Sequence, residues 1–134
     1  MLKQVSVYAE NTKGKMLAIT TVLADNSINI LGSVTNDSAE YGIVRMIVSD
    51  PENARKVLSE NGFICKLTDV IGVEVQDEVG NLNKLLKALN DANISVNYLY
   101  LSYNRESGCP IMVLHTPDAR EVENSLKSKG FILC

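Results

Sequence analysis

The sequence lacks most of the features that would assign it directly to a class of enzyme or binding protein. It has no tryptophan, three prolines, three cysteines and one histidine among 134 residues. The cysteines, Cys65, Cys109 and Cys134, form no Cys-x-x-Cys pair, so neither a disulfide framework nor a zinc ribbon is predicted. No apolar run approaches the roughly 20 residues of a membrane span, and residues 4–10 alternate in polarity rather than forming the apolar core of a signal peptide. We therefore expect a soluble, cytoplasmic protein.

Basic charge is also scarce. Lysine and arginine contribute 13 residues against 16 aspartates and glutamates, for a formal net charge of −3. A nucleic-acid surface would need clustered basic residues, so we expect no nucleic-acid partner. Hydrophobic residues make up 46% of the chain, which is enough to form a buried core.

The chain contains an internal repeat. A shift of 66 residues aligns residues 4–51 with 70–117 without a gap and gives nine identities in 48 positions, where unrelated sequences would give roughly three. The identities include Gly14 with Gly80, which end similar loops. A two-residue insertion then moves the register further along the chain. The sequence therefore predicts two copies of one unit, residues 1–68 and residues 69–134.

Each copy predicts the order strand, helix, strand, strand, helix, strand. Four leucines between residues 82 and 89 have the i, i+3, i+4, i+7 spacing of an amphipathic helix. Asp50 followed by Pro51 is typical of a helix N-terminus, and residues 37–40 are expected to form a hairpin loop. A βαββαβ unit of this size predicts an α+β, ferredoxin-like fold, in which an antiparallel sheet carries both helices on one face.

Three functions of ferredoxin-like folds need residues that these copies lack. Metal carriers need Cys-x-x-Cys in the first loop, RNA-recognition domains need stacking aromatics and a basic surface, and acylphosphatases need a glycine-rich loop with an arginine. The first loops instead contain Asn-Thr-Lys-Gly at residues 11–14 and Asp-Glu-Val-Gly at residues 77–80. All three functions are therefore disfavoured, and we expect no metal and no cofactor.

The remaining pattern resembles the ACT domain, the small-molecule regulatory module of amino-acid metabolism. In the first copy the resemblance depends on the polar turn that ends in Gly14, on Leu17 soon after it, and on Asn29-Ile30 at the start of the second strand. It recurs in Gly80 with Leu82 and in residues 94–96. The family often has proline before the glycine, where this chain has lysine and valine.

The resemblance implies a stand-alone protein of two ACT repeats whose antiparallel sheets join side by side. Such a protein would be a non-catalytic sensor, homodimeric, that binds a free amino acid or a similar small carboxylate at the interface between ACT domains. The alternative is a protein-interaction module that regulates an enzyme of amino-acid or acyl-CoA metabolism without binding a ligand.

Asn11, Thr12, Lys13 and Gly14 form the first candidate ligand-binding loop. A turn glycine lets backbone N–H groups converge at the start of a helix, where the helix dipole favours an anion such as a carboxylate. Asn11 and Thr12 add neutral hydrogen-bonding groups, and Lys13 adds positive charge. The alternative is a plain strand-to-helix turn that is capped by Asn11 or Thr12.

The equivalent loop of the second copy carries the opposite charge. It consists of Asp77, Glu78, Val79 and Gly80. The two carboxylates would repel a carboxylate ligand and suit an ammonium group or a cation. Alternatively, they are only favourable acidic charges near a helix N-terminus. We therefore expect the two equivalent sites to differ.

Pairing of the second strands, which the resemblance implies, would place each first loop against the second strand of the other unit. The pocket walls would then be formed by Ile30, Leu31, Gly32, Val96, Asn97 and Tyr98. Asn97 and Tyr98 are the polar candidates for recognition of an amino acid.

The remaining reactive residues do not predict an enzyme. His115 lies at the end of a strand pattern with no serine, cysteine or carboxylate near it in sequence, so we expect a structural or interface role for it. Cys134 is expected to be an exposed thiol. No Walker loop or metal-binding spacing is present.

The third strand of the second copy predicts a dimer interface. If alternate residues of this strand face the helices, Ile111 and Val113 face away from them, and Leu99 and Leu101 of the neighbouring strand are expected to join them. A contiguous apolar face is typical of an interface. We therefore expect a homodimer that buries these four residues. The alternative is that residues 63–76 or the segment that ends at Cys134 cover this face within one chain.

Overall fold

The computed structural model of the chain describes residues 1–10, 12–36 and 42–134. Asn11 and the predicted hairpin loop at residues 37–40 lie outside the described residues. The chain forms two compact units: the N-terminal unit is Lys3–Thr68, and the C-terminal unit is Asp69–Cys134 together with Met1–Leu2. Within the described ranges, no helix combines the length and the apolar character that a bilayer span requires.

The elements follow the predicted order. They are β1 (Leu2–Ala9), α1 (Lys15–Asp25), β2 (Ile30–Asn36), β3 (Gly42–Val48), α2 (Pro51–Glu60), β4 (Ile64–Glu74), α3 (Asn81–Asp91), β5 (Tyr98–Tyr103), β6 (Pro110–His115) and α4 (Ala119–Ser128). The strand order is β2-β3-β1-β4 in the N-terminal unit and β4-β6-β5 in the C-terminal unit, and β4 runs through the boundary between them. An isolated bridge between Val73 and Leu133 occupies the place of the last strand of the second repeat. Two ferredoxin-like repeats are thereby confirmed.

Equivalent residues form the two cores. In the N-terminal unit, Ile19 and Leu23 of α1 and Leu58 of α2 pack with strand residues such as Val7 and Met46. The C-terminal core contains their counterparts, which are Leu85, Leu89, Leu126, Val73 and Met112. The apolar residues nearest the start of each first helix are not buried. Met16 in α1 and Leu82 in α3 remain exposed. Each unit therefore folds around its own apolar cluster, and Met16 and Leu82 lie beside the first loops.

The second helices also begin and end as the sequence predicts. Asp50 is the N-cap of α2, and its carboxylate accepts a hydrogen bond from the backbone N–H of Asn53 at 3.2 Å. Gly62 and Gly130 follow α2 and α4 with φ of 85° and 88°. Glycine adopts this left-handed conformation at little cost, so both helices end where the sequence supplies it.

The register of β5 and β6 contradicts the predicted dimer surface. Leu99 lies opposite Leu114, and Leu101 lies opposite Met112. Directly opposed residues of antiparallel strands share a face of the sheet, so the two β5 leucines lie on the side that the helices cover. A shift of one residue in register exchanges the two faces of a strand, and the prediction was wrong by that one residue.

The opposite face of these strands is buried. Ile111 and Val113 are 1% and 0% exposed, and they share this face with Tyr100 and Ser102. Gly72 lies opposite Val113, and a Cβ atom added to it would come within 2.6 Å of the Leu2 side chain. Ile111 and Val113 therefore do not belong to an exposed interface.

Candidate functional site

The first loop of the N-terminal unit is held by its own backbone. Gly14 is the N-cap residue of α1, with φ 87° and ψ −4°. Before it, the N–H of Thr12 donates to the carbonyl of Glu10 at 2.8 Å, and the N–H of Lys15 donates to the carbonyl of Thr12 at 3.3 Å. A residue with a Cβ atom is strained at this φ, so the turn requires glycine.

No described side chain caps α1. The N-cap residue Gly14 has no side chain, and Thr12 makes no capping hydrogen bond. The alternative of a capped turn stays open, because Asn11 lies outside the described residues. Among the described residues, none beyond the chain neighbours of Gly14 would come within 4 Å of a Cβ atom placed on it. The start of α1 thus has free space beside it and first-turn N–H groups that no described side-chain cap satisfies.

A cavity of about 50 Å³ lies beside this loop. Thr12, Lys15 and Met16 line it from the loop and from α1, and Thr35 and Asn36 line it from the end of β2. Because β2 and β1 are both antiparallel to β3, the end of β2 lies at the end of the sheet where the first loop begins. The site therefore combines a lysine, two threonines and the open helix start with one carboxylate, that of Glu10, which also lines the cavity.

The first loop of the C-terminal unit has the same backbone. Gly80 has φ 88° and ψ −3° and is the N-cap of α3, again without a side-chain cap. The N–H of Glu78 donates to the carbonyl of Gln76 at 2.8 Å, and the N–H of Asn81 donates to the carbonyl of Glu78 at 3.3 Å. The Asn81 side chain adds a hydrogen bond to the Gln76 carbonyl at 2.9 Å. Both loops thus have one conformation.

The cavity beside the second loop has different walls. Its volume is about 450 Å³, and Asp77, Glu78, Leu82, Leu101 and Tyr103 are among its lining residues. The shift of 66 residues relates the two cavities through the pairs Thr12 and Glu78, Lys15 and Asn81, Met16 and Leu82, and Thr35 and Leu101. The sequence predicts the two loops of these cavities but not Thr35 or Leu101 as wall residues. The wall residues of β2 and β5 follow from the same repeat, once the strand ends are assigned to one end of the sheet.

The predicted pocket walls lie at the other end of their strands. Ile30 begins β2, and the register shifts between Ile30 and Gly32, which leaves Leu31 at a β-bulge. Val96 precedes β5, so the segment of residues 96–98 occupies the same place in the second unit. Within a unit, neither segment lines the cavity beside its own first loop. Their contact with the first loop of another unit stays a prediction.

Asn97 and Tyr98 contact His115. The Nδ1 atom of His115 lies 3.0 Å from Oδ1 of Asn97, and the rings of Tyr98 and His115 stack with centroids 5.0 Å apart. An amide oxygen only accepts hydrogen bonds, so Nδ1 is the donor. The sequence gives no indication of these contacts, because Tyr98 and Asn97 lie 17 and 18 positions before His115 and only strand pairing brings them to it. An amide and a phenol ring hold this histidine in place, as expected for a structural role.

Cys134 is less exposed than expected. Its thiol is half-buried and lies 3.6 Å from Nδ2 of Asn104, which also donates to the Glu74 carboxylate at 3.1 Å. Burial raises the pKa of the Cys134 thiol, and the negative charge of Glu74 raises it further. The raised pKa makes this cysteine a poor nucleophile. Among the described residues, no three histidine, cysteine or carboxylate side chains come together as metal ligands.

Comparison with known protein families assigns this pair of repeats. The family model that describes an ACT domain pair matches residues 1–131. The chain belongs to the ACT domain family. ACT domains are regulatory, non-catalytic modules. Among curated proteins, none matches this ACT domain pair.

Solved structures have the same fold. Protein BT0572 from Bacteroides thetaiotaomicron is 32% identical, with a TM-score of 0.90, and the match covers 99% of this chain and 91% of that protein. The ligand-free regulatory subunit of aspartate kinase from Thermus thermophilus is 12% identical, with a TM-score of 0.66, over 94% of this chain and 91% of that one. The corresponding subunit from Thermus flavus is 14% identical, with a TM-score of 0.61, over 94% and 90%. At these identities the two kinase subunits show a shared fold.

Proposed function

We propose that this ACT domain pair is a non-catalytic, cytoplasmic sensor that binds the carboxylate of a free amino acid at residues 11–14, the first loop of the N-terminal unit. The observation that carries the proposal is the open start of α1. Gly14 supplies no side-chain cap, and no described residue beyond its chain neighbours lies within 4 Å of the position where a Cβ would be. Backbone N–H groups at a helix N-terminus favour an anion.

Positive charge and hydroxyl groups next to the helix start support the same ligand. Lys15 lines the cavity, and Lys13 is exposed in the loop itself, so two positive charges stand against the one negative charge of Glu10 in the cavity wall. Thr12 and Thr35 add hydroxyl groups. A carboxylate at this position would gain charge-assisted hydrogen bonds, which are stronger than neutral ones.

The rest of the amino acid would contact a second unit. A cavity of about 50 Å³ is too small for a whole amino acid, since ligand pockets usually span roughly 300–1,000 Å³. In this proposal, residues 30–32 or 96–98 of a neighbouring unit complete the pocket. Asn97 and Tyr98 would recognise the amino group only after giving up part of their contact with His115.

A homodimer would supply that neighbouring unit. Strands β2 and β5 each lie at an edge of their own unit's sheet, and an edge strand offers backbone groups for pairing. Leu101 and Tyr103, which belong to the edge strand β5, are 53% and 55% exposed. In this revised assembly the dimer forms through strand edges instead of the buried face that carries Ile111.

The alternative function is a protein-interaction module that regulates a metabolic enzyme. It is favoured by the apolar surface of the C-terminal unit, where Val79, Leu82, Leu101 and Tyr103 are all exposed. The cavity of about 450 Å³ that three of them line would then receive an apolar side chain of the partner. An enzyme partner would bind here whether or not an amino acid is present.

Equilibrium binding distinguishes the two functions. Calorimetry with a panel of free amino acids, each matched by the amine that lacks its carboxylate, tests whether the carboxylate is required. We expect at least one amino acid to bind and its matched amine to bind at least tenfold more weakly. Absence of binding by every amino acid at millimolar concentration would contradict the sensor and favour the interaction module.

A further inference from the structure

Helix α1 carries two charged residues, and both charges oppose the dipole of the helix. Lys15 is its first residue and Asp25 is its last. A helix has partial positive charge at its N-terminus and partial negative charge at its C-terminus, so an acid is favoured at the start and a base at the end. The first turn of α1 has no acid and the last turn has no base. Within a single chain, both charges therefore lie at the unfavourable end.

No ion pair within the chain compensates these two charges. In the ranges that the structure describes, neither Lys15 nor Asp25 has an ion-pair partner. They cannot pair with each other, because they lie about 15 Å apart along the helix axis. Asp25 is exposed and Lys15 is half-buried, so both charges remain open to a group outside the chain.

Two apolar residues lie between the charges on the same face of α1. Ala18 follows Lys15 by three residues, Val22 follows Ala18 by four, and Asp25 follows Val22 by three. Residues with this spacing share one face of a helix. Ala18 is exposed, and Val22 is half-buried against the core of the N-terminal unit. We call these four residues the α1 stripe; it has a positive end, a small residue, a larger residue and a negative end.

The α1 stripe is complementary to an antiparallel copy of itself. A two-fold rotation that places Asp25 of a second copy opposite Lys15 also places Val22 of that copy opposite Ala18. A two-fold contact uses the same surface of both copies, so each of these pairs occurs twice. Every charge then lies beside an opposite charge, and every valine lies against an alanine, which is the alternation of large and small residues that packs well.

The equivalent helix of the C-terminal unit lacks this complementarity. The shift of 66 residues gives α3 the stripe Asn81, Lys84, Ala88 and Asp91. The same antiparallel arrangement would place Asp91 opposite an amide and Lys84 opposite an alanine, so it would form no ion pair. The complementarity therefore belongs to α1 and does not follow from the repeated fold.

We propose that the α1 stripe is a self-association surface, where α1 of a second copy of this chain packs antiparallel and binds Lys15 through its Asp25. An exposed ion pair contributes little free energy, so the charges set the direction and register of the contact, while Ala18 and Val22 supply its apolar part. Like charges placed opposite each other are strongly unfavourable and exclude other registers. The contact is separate from the strand edges of the proposed homodimer and requires no amino acid.

Charge reversal tests the contact by sedimentation velocity in the absence of amino acids. Asp25→Lys and Lys15→Asp each place like charges opposite each other twice, so each variant should sediment at half the mass of the native assembly, with a dissociation constant at least tenfold higher. An equimolar mixture of the two variants should regain the native mass, because each reversed charge then meets an opposite charge on the other variant. A mixture that stays at the lower mass would exclude the pairing.

Asp91→Lys is the matched control, since Asp91 is the last residue of α3 and its reversal changes the net charge by the same amount. It should sediment as the native protein does. Both α1 variants place a charge where the helix dipole favours it, so the chains should remain folded, which circular dichroism checks. A native protein that sediments as a single chain, an Asp25→Lys variant that keeps the native mass, or an equal loss for Asp91→Lys would overturn the proposal. None of these results bears on the proposed carboxylate site, because the measurement contains no amino acid.

Discussion

The first loops of the two units have the same backbone and opposite chemistry. Gly14 and Gly80 have φ of 87° and 88°, and equivalent N–H groups donate over 2.8 Å and 3.3 Å in both loops. The cavity beside the first loop contains Lys15 and Thr35, whereas their counterparts beside the second are Asn81 and Leu101. Glycine and local hydrogen bonds therefore determine the conformation of the turn, and the side chains around it are free to select the ligand.

The second helices differ in the same manner. Both begin after an aspartate N-cap. The Asp50 carboxylate accepts a capping hydrogen bond from its helix, whereas the Asp118 carboxylate accepts none. In both comparisons the duplication kept the fold, while the polar groups at helix starts diverged between the units.

Core truncation should have the largest effect and should be equal in the two units. Leu23 and Leu89 are equivalent and almost fully buried, so Leu23→Ala and Leu89→Ala should each lower the free energy of unfolding by about 2–5 kcal/mol. Leu17→Ala is the control, because Leu17 is an exposed leucine of α1. Urea denaturation measures all three. A large difference between the two buried variants would show that the cores are not energetically equivalent.

Replacing the turn glycine should remove ligand binding. Gly14→Val places a β-branched residue at φ 87°, which costs about 1–3 kcal/mol of stability, and moves the N–H groups that would hold the carboxylate. Gly62→Val carries the same strain at φ 85° after α2, away from the first loop. We expect calorimetry to detect amino-acid binding by Gly62→Val only. Equal affinities of the two folded variants would refute the assignment of residues 11–14.

Replacing side chains of the first loop with their counterparts from the second loop should weaken its binding of a carboxylate. The double variant Thr12→Glu with Lys15→Asn gives the first loop the chemistry of the second, and should weaken carboxylate binding about tenfold, equivalent to about 1.4 kcal/mol. Lys56→Asn is the control for loss of one positive charge, since Lys56 is an exposed residue of α2. If the double variant binds as tightly as the native protein, the backbone alone selects the ligand.

The sequence was sufficient for features that depend on local residue order. Turn glycines, the Asp50 cap and the spacing of leucines predicted the elements and the duplicated fold, because these features act over a few neighbouring residues. The faces of β5 were predicted wrongly because the register depends on the connection between strands, where the N–H of Asn104 donates to the carbonyl of Cys109 at 3.0 Å. One residue of difference in that connection reverses every side chain.

Contacts between distant residues were also beyond sequence reasoning. Nothing in the pattern near His115 indicates Asn97 or Tyr98, because strand pairing alone brings them together. The walls of the loop cavities depend in the same way on where β2 and β5 end. Candidate loops could therefore be found from the sequence, whereas their partners required the fold.

The smallest expected effect concerns the helix caps. Asp50→Ala removes a side chain that accepts a hydrogen bond from Asn53 at 3.2 Å, so the free energy of unfolding should fall by about 1 kcal/mol. Asp118→Ala removes a carboxylate that makes no capping bond, and should change stability by less than about 0.5 kcal/mol. Urea denaturation measures both. An equal loss for the two variants would mean that Asp118 caps α4 in solution.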